Sequence, residues 1–599
     1  MTASIAQRLR AVLVAAVAIV VFVAAWLFRF NDSGGSFAGL TDDHFFYVVR
    51  GWQLLFGDLP VRDFVDQGAP LYYYGAAAVQ LVFGRGTLSE LVFGTTTLAA
   101  CAALIFWLAT TASGSIAAGL FGVAFHVHLG PRLYNYPKFL VYVVAIPLCW
   151  RFADRPGAWA RSLIAAITVV GFLFRHDHGV FVALAMAVTL ATLPGATWTI
   201  RLKHAVLYAA TCVVLLAPYA AFVQWHGGAV SYVRQAAAWA QRERQRTPVV
   251  WPGLRDNPDG VSEAARQSPV IARAVATIQD NDVAWTYYLE IAIPLLALLL
   301  LWQWPDGLRP RWPHARQKLV MVAMLGIVLN LGFLRSPLGA RLADPSVPHA
   351  ILLAWLVVAA LRVVALGGRS PMGGAASASW RVRATTAGTT MLVGLIVWAL
   401  MSQDFHRRLE RVHFTEGFAR SFERPRAIAA LVDAAWRLES WKTQRGENTL
   451  IALSLYVNAC TAPTDRVFVQ GYMPQVVGLA RRAFAGGHAD LRAGFFETEE
   501  AQRLTVARLE RQSVPMLLMA SGEQYDNFRE SFPLVTAYFD RHYRRAATRT
   551  FDERFETTLF VRQDRPTRGV YAPFGWPCFS DGVVHPNASV RPISASARG

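Results

Sequence analysis

The chain has 599 residues, of which 54% are hydrophobic and only 16% are charged. Several apolar runs of membrane-spanning length account for this balance, which excludes an ordinary soluble protein. The formal net charge is +18, but the sequence contains no basic stripe with interleaved aromatic residues of the nucleic-acid-binding kind. A surface facing anionic lipid, or a phosphate-bearing substrate, explains the charge better.

The first apolar run, residues 11–28, follows Arg8 and Arg10. A cleaved signal peptide begins in the same way, but no small-residue cleavage site precedes Phe28 and many further runs follow. We therefore predict a retained signal anchor with its amino terminus in the cytoplasm.

Eleven further apolar runs follow along the chain. They lie at about 70–84, 88–110, 114–129, 138–150, 162–174, 178–194, 204–223, 286–303, 319–334, 349–366 and 385–401. Four linkers between runs are rich in Lys and Arg, and these are 151–161, 201–203, 309–318 and 362–383. Because cytoplasmic loops hold such an excess of positive charge, we predict that these four linkers are cytoplasmic.

Alternation of the two membrane sides then limits the number of spans. The first span ends outside and the run at 88–110 begins outside, so the run at 70–84 between them is not a complete span. It is also short for a bilayer core of roughly 30 Å. We predict a juxtamembrane helix there and about eleven spans in all. The predicted parts are a transmembrane region at 1–402, outer loops at 29–87 and 225–285, and an extracytoplasmic region at 403–599.

The region after the last apolar run has a different character. Residues 404–445 are polar and helical in pattern, while 466–470, 514–519 and 557–561 have the composition of strands, with a helix predicted at 474–484. The predicted fold is therefore an α-helical polytopic membrane protein with a carboxy-terminal extracytoplasmic α/β domain.

The five cysteines show no Cys-x-x-Cys or Cys/His metal-binding spacing. Cys101, Cys149 and Cys212 fall inside apolar runs, where cysteine behaves as a small hydrophobic residue. Cys460 and Cys578 lie in the hydrophilic tail. If that tail is extracytoplasmic, the two can form a disulfide.

Four acidic residues stand out in the first outer loop, namely Asp42, Asp43, Asp63 and Asp66. Taking a carboxylate out of water costs several kcal/mol, so acids beside a bilayer are uncommon unless they are paired or functional. The aromatic residues between them are typical of an interfacial helix.

Three further predicted outer segments bring mostly basic side chains to the same membrane face. Their charged and polar members are Arg132, Tyr134 and Lys138, then Arg175, His176, Asp177 and His178, and finally Arg335, Arg341, Asp344 and His349. Arg and Lys bind phosphate oxygens and stabilise a leaving group's charge. A carboxylate can accept a proton from an acceptor nucleophile. This combination suits transfer from a phosphate-linked donor.

Each of these features also has a structural interpretation. Asp42 or Asp43 can cap the helix that begins near residue 43, and Arg132 and Lys138 can act as interfacial anchors. His176 and His178 can be read as a metal site, but residues two apart point in different directions on a strand or a helix, so the pair is a poor chelate. Two acid–base pairs can neutralise helix ends, and these are Arg175–Asp177 and Arg341–Asp344.

The first loop resembles a known family. It contains Asp42-Asp43 and then Val61-Arg-Asp-Phe-Val-Asp-Gln-Gly-Ala-Pro-Leu-Tyr-Tyr-Tyr74. This is similar to the integral-membrane glycosyltransferases of the GT-C superfamily, in the branch of dolichyl-phosphate-mannose protein mannosyltransferases and aminoarabinose transferases. The tail segment Thr464-Asp-Arg-Val-Phe-Val-Gln-Gly-Tyr-Met-Pro-Gln475, followed by Arg481-Arg482, resembles the start of that branch's extracytoplasmic domain.

The resemblance implies a polyprenyl-phosphate sugar as donor and inverting transfer of a hexose or pentose on the outer face, with an acid of the first-loop pair as base. Asp42 matches the leading Asp of the family pattern, and Asp43 stands where Glu is usual. The chain departs from the pattern at Gln67, where Lys or His is often found, and at Ala69-Pro70, where the family has a Pro-Pro pair. These departures concern the identity of sugar and acceptor more than the reaction class.

The leading hypothesis is thus a glycosyltransferase of the plasma (inner) membrane that serves a glycan, lipid or protein acceptor outside the cytoplasm, surrounded by membrane lipid and without nucleic acid. Its predicted base is Asp42 or Asp43. The predicted substrate-binding residues are Asp66, Arg132, Tyr134, Lys138, Arg175, Asp177, Arg341 and His349. No cofactor is firmly implied, although paired carboxylates can hold Mg²⁺ or Mn²⁺.

Two other classes of function remain open. A transporter or flippase of a lipid-linked anion would place charges inside the spans and show paired internal repeats, whereas here the charges lie at the predicted outer ends and we find no repeat. A non-catalytic assembly or sensor protein would carry its function in the tail alone.

Overall fold

A computed structural model describes residues 2–33, 39–246, 251–253, 282–303, 312–335, 339–367, 387–395, 409–410, 412–413, 416–437, 449–552 and 555–580. Most of the predicted second outer loop and part of the predicted run at 385–401 lie outside these residues.

Ten of the described helices form an apolar bundle. They are α1 (Thr2–Asp32), α4 (Thr87–Ser113), α5 (Ile116–His128), α6 (Tyr136–Asp154), α7 (Ala158–Phe174), α8 (His176–Ala191), α9 (Trp198–His226), α11 (Asp282–Gln303), α12 (Ala315–Leu331) and α13 (Ser346–Gly367). Each covers most or all of a predicted apolar run. Because these segments are hydrophobic on nearly all sides, they are stable as helices only when surrounded by other helices or by lipid.

Among the described helices, five are both long enough and apolar enough to cross a membrane, namely α1, α4, α9, α11 and α12. Several others, such as α5 and α7, are shorter apolar helices. The structure therefore confirms a helical protein with membrane-spanning candidates, while the number of about eleven spans stays a prediction.

Ion pairs at the two ends of α6 show that α13 begins at the same end of the bundle as α6, whereas α12 begins at the opposite end. At its start, the Lys138 ammonium lies 2.6 Å from Asp344, just before α13, and at its end Asp154 lies 2.6 Å from Lys318 at the start of α12. The end of the bundle that carries Lys138 also carries residues 39–69. We call this end the first-loop face.

Three described helices lie outside the bundle pattern near this face. They are α2 (Asp42–Leu55), α3 (Pro70–Phe83) and α10 (Ala229–Arg246). With 14 residues, α3 extends about 21 Å at the usual rise per residue, and its juxtamembrane position stays a prediction. Pro70 stands at its start, where a missing N–H has no helical partner to lose.

The helix α14 (Phe418–Trp436) belongs to the predicted extracytoplasmic region but packs against the bundle. The side-chain amide of Asn31, near the end of α1, donates to the carbonyl of Ser421 at 3.1 Å, and Val432 lies beside Gly39. Although α14 follows the predicted boundary at 402/403, it therefore covers the end of α1.

Residues 449–580, which we call the carboxy-terminal region, form a mixed α/β structure. Its helices are α15 (Thr449–Cys460), α16 (Pro474–Leu479), α17 (Glu499–Glu510), α18 (Glu523–Ser531) and α19 (Pro533–His542). Its strands are β1 (Arg466–Val469), β2 (Ala483–Phe484), β3 (Met516–Ala520), β4 (Tyr543–Asp552), β5 (Phe555–Arg562), β6 (Gly569–Tyr571) and β7 (Trp576–Cys578). The five-stranded sheet has the order β2-β1-β3-β5-β4, parallel among β2, β1 and β3 and antiparallel beyond.

The three predicted strands correspond to β1, β3 and β5, which together form the centre of this sheet. The helix predicted at 474–484 is too long: α16 ends at Leu479, and the chain forms the short strand β2 at Ala483–Phe484. Cys460 at the end of α15 and Cys578 in β7 are joined by a disulfide, which ties the last strand to the start of the region.

Candidate functional site

The Asp43 carboxylate lies in the first turn of α2 and accepts hydrogen bonds from two tyrosines. Its Oδ2 accepts from the Tyr134 hydroxyl at 2.9 Å, and its Oδ1 accepts from the Tyr472 hydroxyl at 2.8 Å. The Arg132 guanidinium approaches Oδ2 to 3.5 Å. The side chain remains 43% exposed. We call Asp43, Arg132, Tyr134 and Tyr472 the Asp43 cluster.

Both phenols of this cluster are firm proton donors. Burial, together with the nearby Asp43 charge, raises the pKa of Tyr134 well above its ordinary value. The same two causes raise the pKa of Tyr472. Each hydroxyl therefore stays protonated at neutral pH and donates to Asp43. The described hydrogen bonds to the Asp43 carboxylate come from side chains and not from backbone N–H groups, so Asp43 does not cap α2.

A small cavity lies next to this cluster, between the 130s loop and the start of α8. Its volume is about 20 Å³, which is room for roughly one water molecule. Its lining includes Tyr47, Tyr72, Tyr134, Lys138, Arg175 and His178. The ring of Tyr47 stacks on Tyr72 at 4.5 Å and on Tyr134 at 6.1 Å between centroids. Three of the predicted substrate-binding residues thus converge on one cavity.

The two cations of the lining are each paired with a carboxylate. Lys138 is almost fully buried and bound to Asp344, which excludes a simple interfacial anchor. Arg175 binds Asp177 through two parallel bonds of 2.7 Å from Nε and Nη2, as the structural interpretation of that pair expects. Among the described residues, no partner bonds to Nη1 of Arg175, so this nitrogen is available to an anion at the cavity.

Asp66, the last of the four first-loop acids, has different partners. Its Oδ1 accepts from the backbone N–H groups of Gly68 and Ala69 at 2.9 and 3.1 Å, just before α3. Its Oδ2 accepts from the Tyr219 hydroxyl and, at 2.9 Å, from the Tyr232 hydroxyl. We call Asp66, Tyr219 and Tyr232, with the adjacent His176, the Asp66 cluster.

Gly68 fixes the geometry of the Asp66 cluster. Its φ is +83°, a conformation that favours glycine, and a Cβ there would lie only 2.8 Å from Nδ1 of His176. The His176 ring is 3.3 Å from the Tyr232 hydroxyl through Nε2. His178, by contrast, bonds the Tyr142 hydroxyl at 3.0 Å through Nδ1. The two histidines thus have separate partners.

The remaining predicted residues lie elsewhere. His349 is fully buried in the first turns of α13 against Gly326 and does not line the cavity. Arg341 is half-buried in a short 3₁₀ turn, Gly339–Arg341, before Asp344. Asp42 opens α2, but its side chain lies outside the described residues, as does that of Arg335.

Asp63 stabilises the conformation of the first loop through bonds with its neighbours in the chain. Burial raises the pKa of this carboxyl, but bonds from Arg62 and from the Leu59 N–H outweigh burial and hold the pKa below its ordinary value. The described residues contain no group of three or more His, Cys, Asp or Glu side chains that could hold a metal ion.

The sequence analysis missed Tyr47 and Tyr472. Tyr47 had a signal, because it lies one helical turn after Asp43 and shares its face. Tyr472 lies in the tail segment Thr464–Gln475, but no sequence rule places a residue 429 positions away against Asp43.

No protein-family model matches the chain, and no curated protein matches it. Functional assignment therefore rests on the geometry of the two clusters and the cavity.

Proposed function

We propose that this protein is a membrane glycosyltransferase that moves a sugar from a polyprenyl-phosphate donor to a glycan, lipid or protein acceptor with inversion, and that Asp43 is the base. The observation that carries the proposal is the Asp43 carboxylate, oriented by two phenols and partly open to solvent beside a cavity that Lys138 and Arg175 line.

The roles follow from these positions. Asp43 accepts the proton of an acceptor hydroxyl while the acceptor oxygen forms a bond to the sugar's anomeric carbon. The bond from that carbon to the phosphate oxygen breaks, and the phosphate leaves with the electron pair. Arg175 and Lys138 stabilise its charge. The rings of Tyr47 and Tyr134 line the cavity and contact the sugar.

A donor sugar requires more room than about 20 Å³, because small-molecule sites typically have volumes of several hundred Å³. Donor binding therefore includes movement of the lining side chains. The Cys460–Cys578 disulfide supports an oxidising, extracytoplasmic location of the first-loop face, since the carboxy-terminal region lies on that face.

The test is sugar transfer by membranes that contain matched amounts of wild type, Asp42→Asn or Asp43→Asn, each supplied with a pool of polyprenyl-phosphate sugars. We expect Asp43→Asn to lose transfer while the folded protein persists. Asp564→Asn is the matched control, because Asp564 is an exposed acid paired with Arg562 in the carboxy-terminal region. Wild-type transfer by both first-loop variants would reject the role of the pair.

Transport of a lipid-linked anion is the second candidate. It is favoured by Glu290 of α11, which is buried within an apolar helix and lies 3.5 Å from the Asn330 amide of α12. A carboxylate inside a span often marks a transport pathway. A Glu290→Gln variant that stops lipid movement in vesicles, in a protein that transfers no sugar, would favour this candidate.

A further inference from the structure

The carboxy-terminal region is joined firmly to the first loop. The Arg466 guanidinium binds the Asp58 carboxylate through two bonds of 2.5 and 2.8 Å. Gln53 of α2 exchanges two hydrogen bonds of 3.2 Å with the backbone of Phe484 in β2. Charged bonds and reciprocal backbone bonds in a largely buried interface hold two elements in one geometry. The first loop therefore has a fixed position relative to the sheet.

The close packing of α2 against α16 also fixes the first loop relative to the carboxy-terminal region. A Cβ on Gly478 would lie 2.6 Å from the Trp52 ring and 3.1 Å from Val49, so only glycine allows this approach. Trp52 also packs on Trp436 of α14, at 5.0 Å between ring centroids. The helix that carries Asp43 is therefore clamped between α14 and α16.

Tyr472 extends from this junction to the Asp43 carboxylate. It follows β1 directly after Gly471, whose φ of +85° turns the chain at the strand's end. Its ring lies 5.7 Å from that of Phe46, and the Arg492 guanidinium covers it at 4.9 Å. Arg492 is in turn held by Asp490 at 3.1 Å. These contacts hold the Tyr472 ring in the position from which its hydroxyl donates to Asp43.

We propose that Tyr472 is a positioning residue that holds the Asp43 carboxylate in its reactive orientation, so that the carboxy-terminal region completes the transfer site. This inference rests on the proposed function. Tyr134 and Arg132 contact Oδ2, whereas Tyr472 contacts Oδ1. With both oxygens bound, the carboxylate cannot rotate about its last bond, and a base must be held within a fraction of an ångström to act efficiently.

The experiment is a double-mutant cycle with Tyr472→Phe and Asp43→Ala in the purified full-length protein. Tyr472→Phe keeps the ring and removes only the hydroxyl. We expect kcat to fall about 10- to 100-fold, with the donor KM nearly unchanged, because the lost bond is one to a charged group. In the Asp43→Ala background the same change should have no further effect on kcat.

Tyr456→Phe is the control for a merely structural effect. It removes a tyrosine hydroxyl that donates to the Pro577 carbonyl at 2.7 Å inside the same region. It should lower the Tm and leave kcat intact. If Tyr472→Phe keeps the wild-type kcat, or if its effect persists in full on Asp43→Ala, the positioning role is wrong.

The Tm of the same four proteins separates this inference from the proposed function. If Tyr472 holds Asp43, the two single losses in Tm should sum to more than the loss in the double variant. A wild type that transfers no sugar would reject the glycosyltransferase function, but the Tm cycle would still test whether Tyr472 holds Asp43. Additive Tm losses would show that it does not.

Discussion

The Asp43 and Asp66 clusters contain the same kind of residue in the same loop, each bound by two phenols, yet they differ in what else they contact. Asp66 gives one oxygen entirely to backbone N–H groups that begin α3. Asp43 gives both oxygens to side chains and remains 43% exposed. Backbone bonds indicate a structural role, while a carboxylate oriented only by side chains is available for chemistry.

The clusters also depend on different parts of the chain. The partners of Asp43 come from the 130s loop and the carboxy-terminal region, whereas the phenols of Asp66 come from α9 and α10. Disturbing one partner region should therefore affect one cluster and spare the other.

The largest expected effect is on transfer by Asp43→Asn. Asparagine keeps the shape, and its one amide oxygen can still accept from one of the two phenols, but it cannot accept a proton from a hydroxyl. We expect a loss of about 10²- to 10⁴-fold in kcat with only a small loss in Tm. A matched Asp66→Asn variant should keep most of its kcat. If Asp66→Asn were the inactive protein and Asp43→Asn the active one, the two roles would have to be exchanged.

Removal of the disulfide should destabilise the carboxy-terminal region, which supplies Tyr472 to the Asp43 cluster. Cys460 and Cys578 enclose a loop of 118 residues, and loss of such a link typically destabilises a region by about 2–5 kcal/mol. The paired change Cys460→Ser and Cys578→Ser should therefore lower the Tm of the carboxy-terminal region and reduce transfer through Tyr472. Thermal unfolding with and without reductant measures the effect. Reductant should lower the Tm of the wild type and leave the Tm of the double variant unchanged. A wild-type Tm that does not change with reductant would contradict a stabilising contribution of the disulfide.

The prediction for Asp66→Ala is loss of stability without a specific loss of chemistry. The variant leaves two backbone donors and two phenols without their acceptor, which costs about 2–3 kcal/mol in the free energy of unfolding. Per folded molecule, kcat should remain near that of wild type. Chemical denaturation gives the first quantity and active-site-normalised transfer the second. A stable Asp66→Ala protein with no activity would place Asp66 in the chemistry.

The sequence predicted the elements whose composition has a single interpretation. The apolar run at 162–174 is α7, and 70–84 is the short helix α3, because long apolar runs are stable only as helices in an apolar environment. It did not predict β4, whose segment contains Arg544, Arg545 and Arg549. Among the described strands it pairs with β5 alone and is at the sheet's edge, so it does not require an alternating apolar pattern.

Within the site, loop positions could be predicted but side-chain directions could not. Alternation of spans brought the segments of Asp43, Tyr134 and Lys138 to one face. Each helical residue turns by about 100°, so the rotation of α13 decides whether His349 meets the cavity or Gly326, and a loop assignment leaves that rotation open. Tyr472 depends on the docking of the carboxy-terminal region onto α2, which no local pattern encodes.

The smallest expected effect comes from Arg132→Ala, and it tests how far the Asp43 cluster depends on charge. Arg132 and Asp43 are both more than 40% exposed and 3.5 Å apart, so water screens their attraction and the pair contributes less than about 1 kcal/mol to stability. The phenols of Tyr134 and Tyr472 would still orient the carboxylate. We therefore expect an unchanged Tm, a kcat within about threefold of wild type, and a donor KM raised several-fold if Arg132 meets the donor phosphate. Arg62→Ala is the control, since Arg62 is equally exposed and pairs with Asp63 instead. A collapse of kcat in Arg132→Ala alone would mean that this guanidinium, rather than the two phenols, sets the orientation of Asp43.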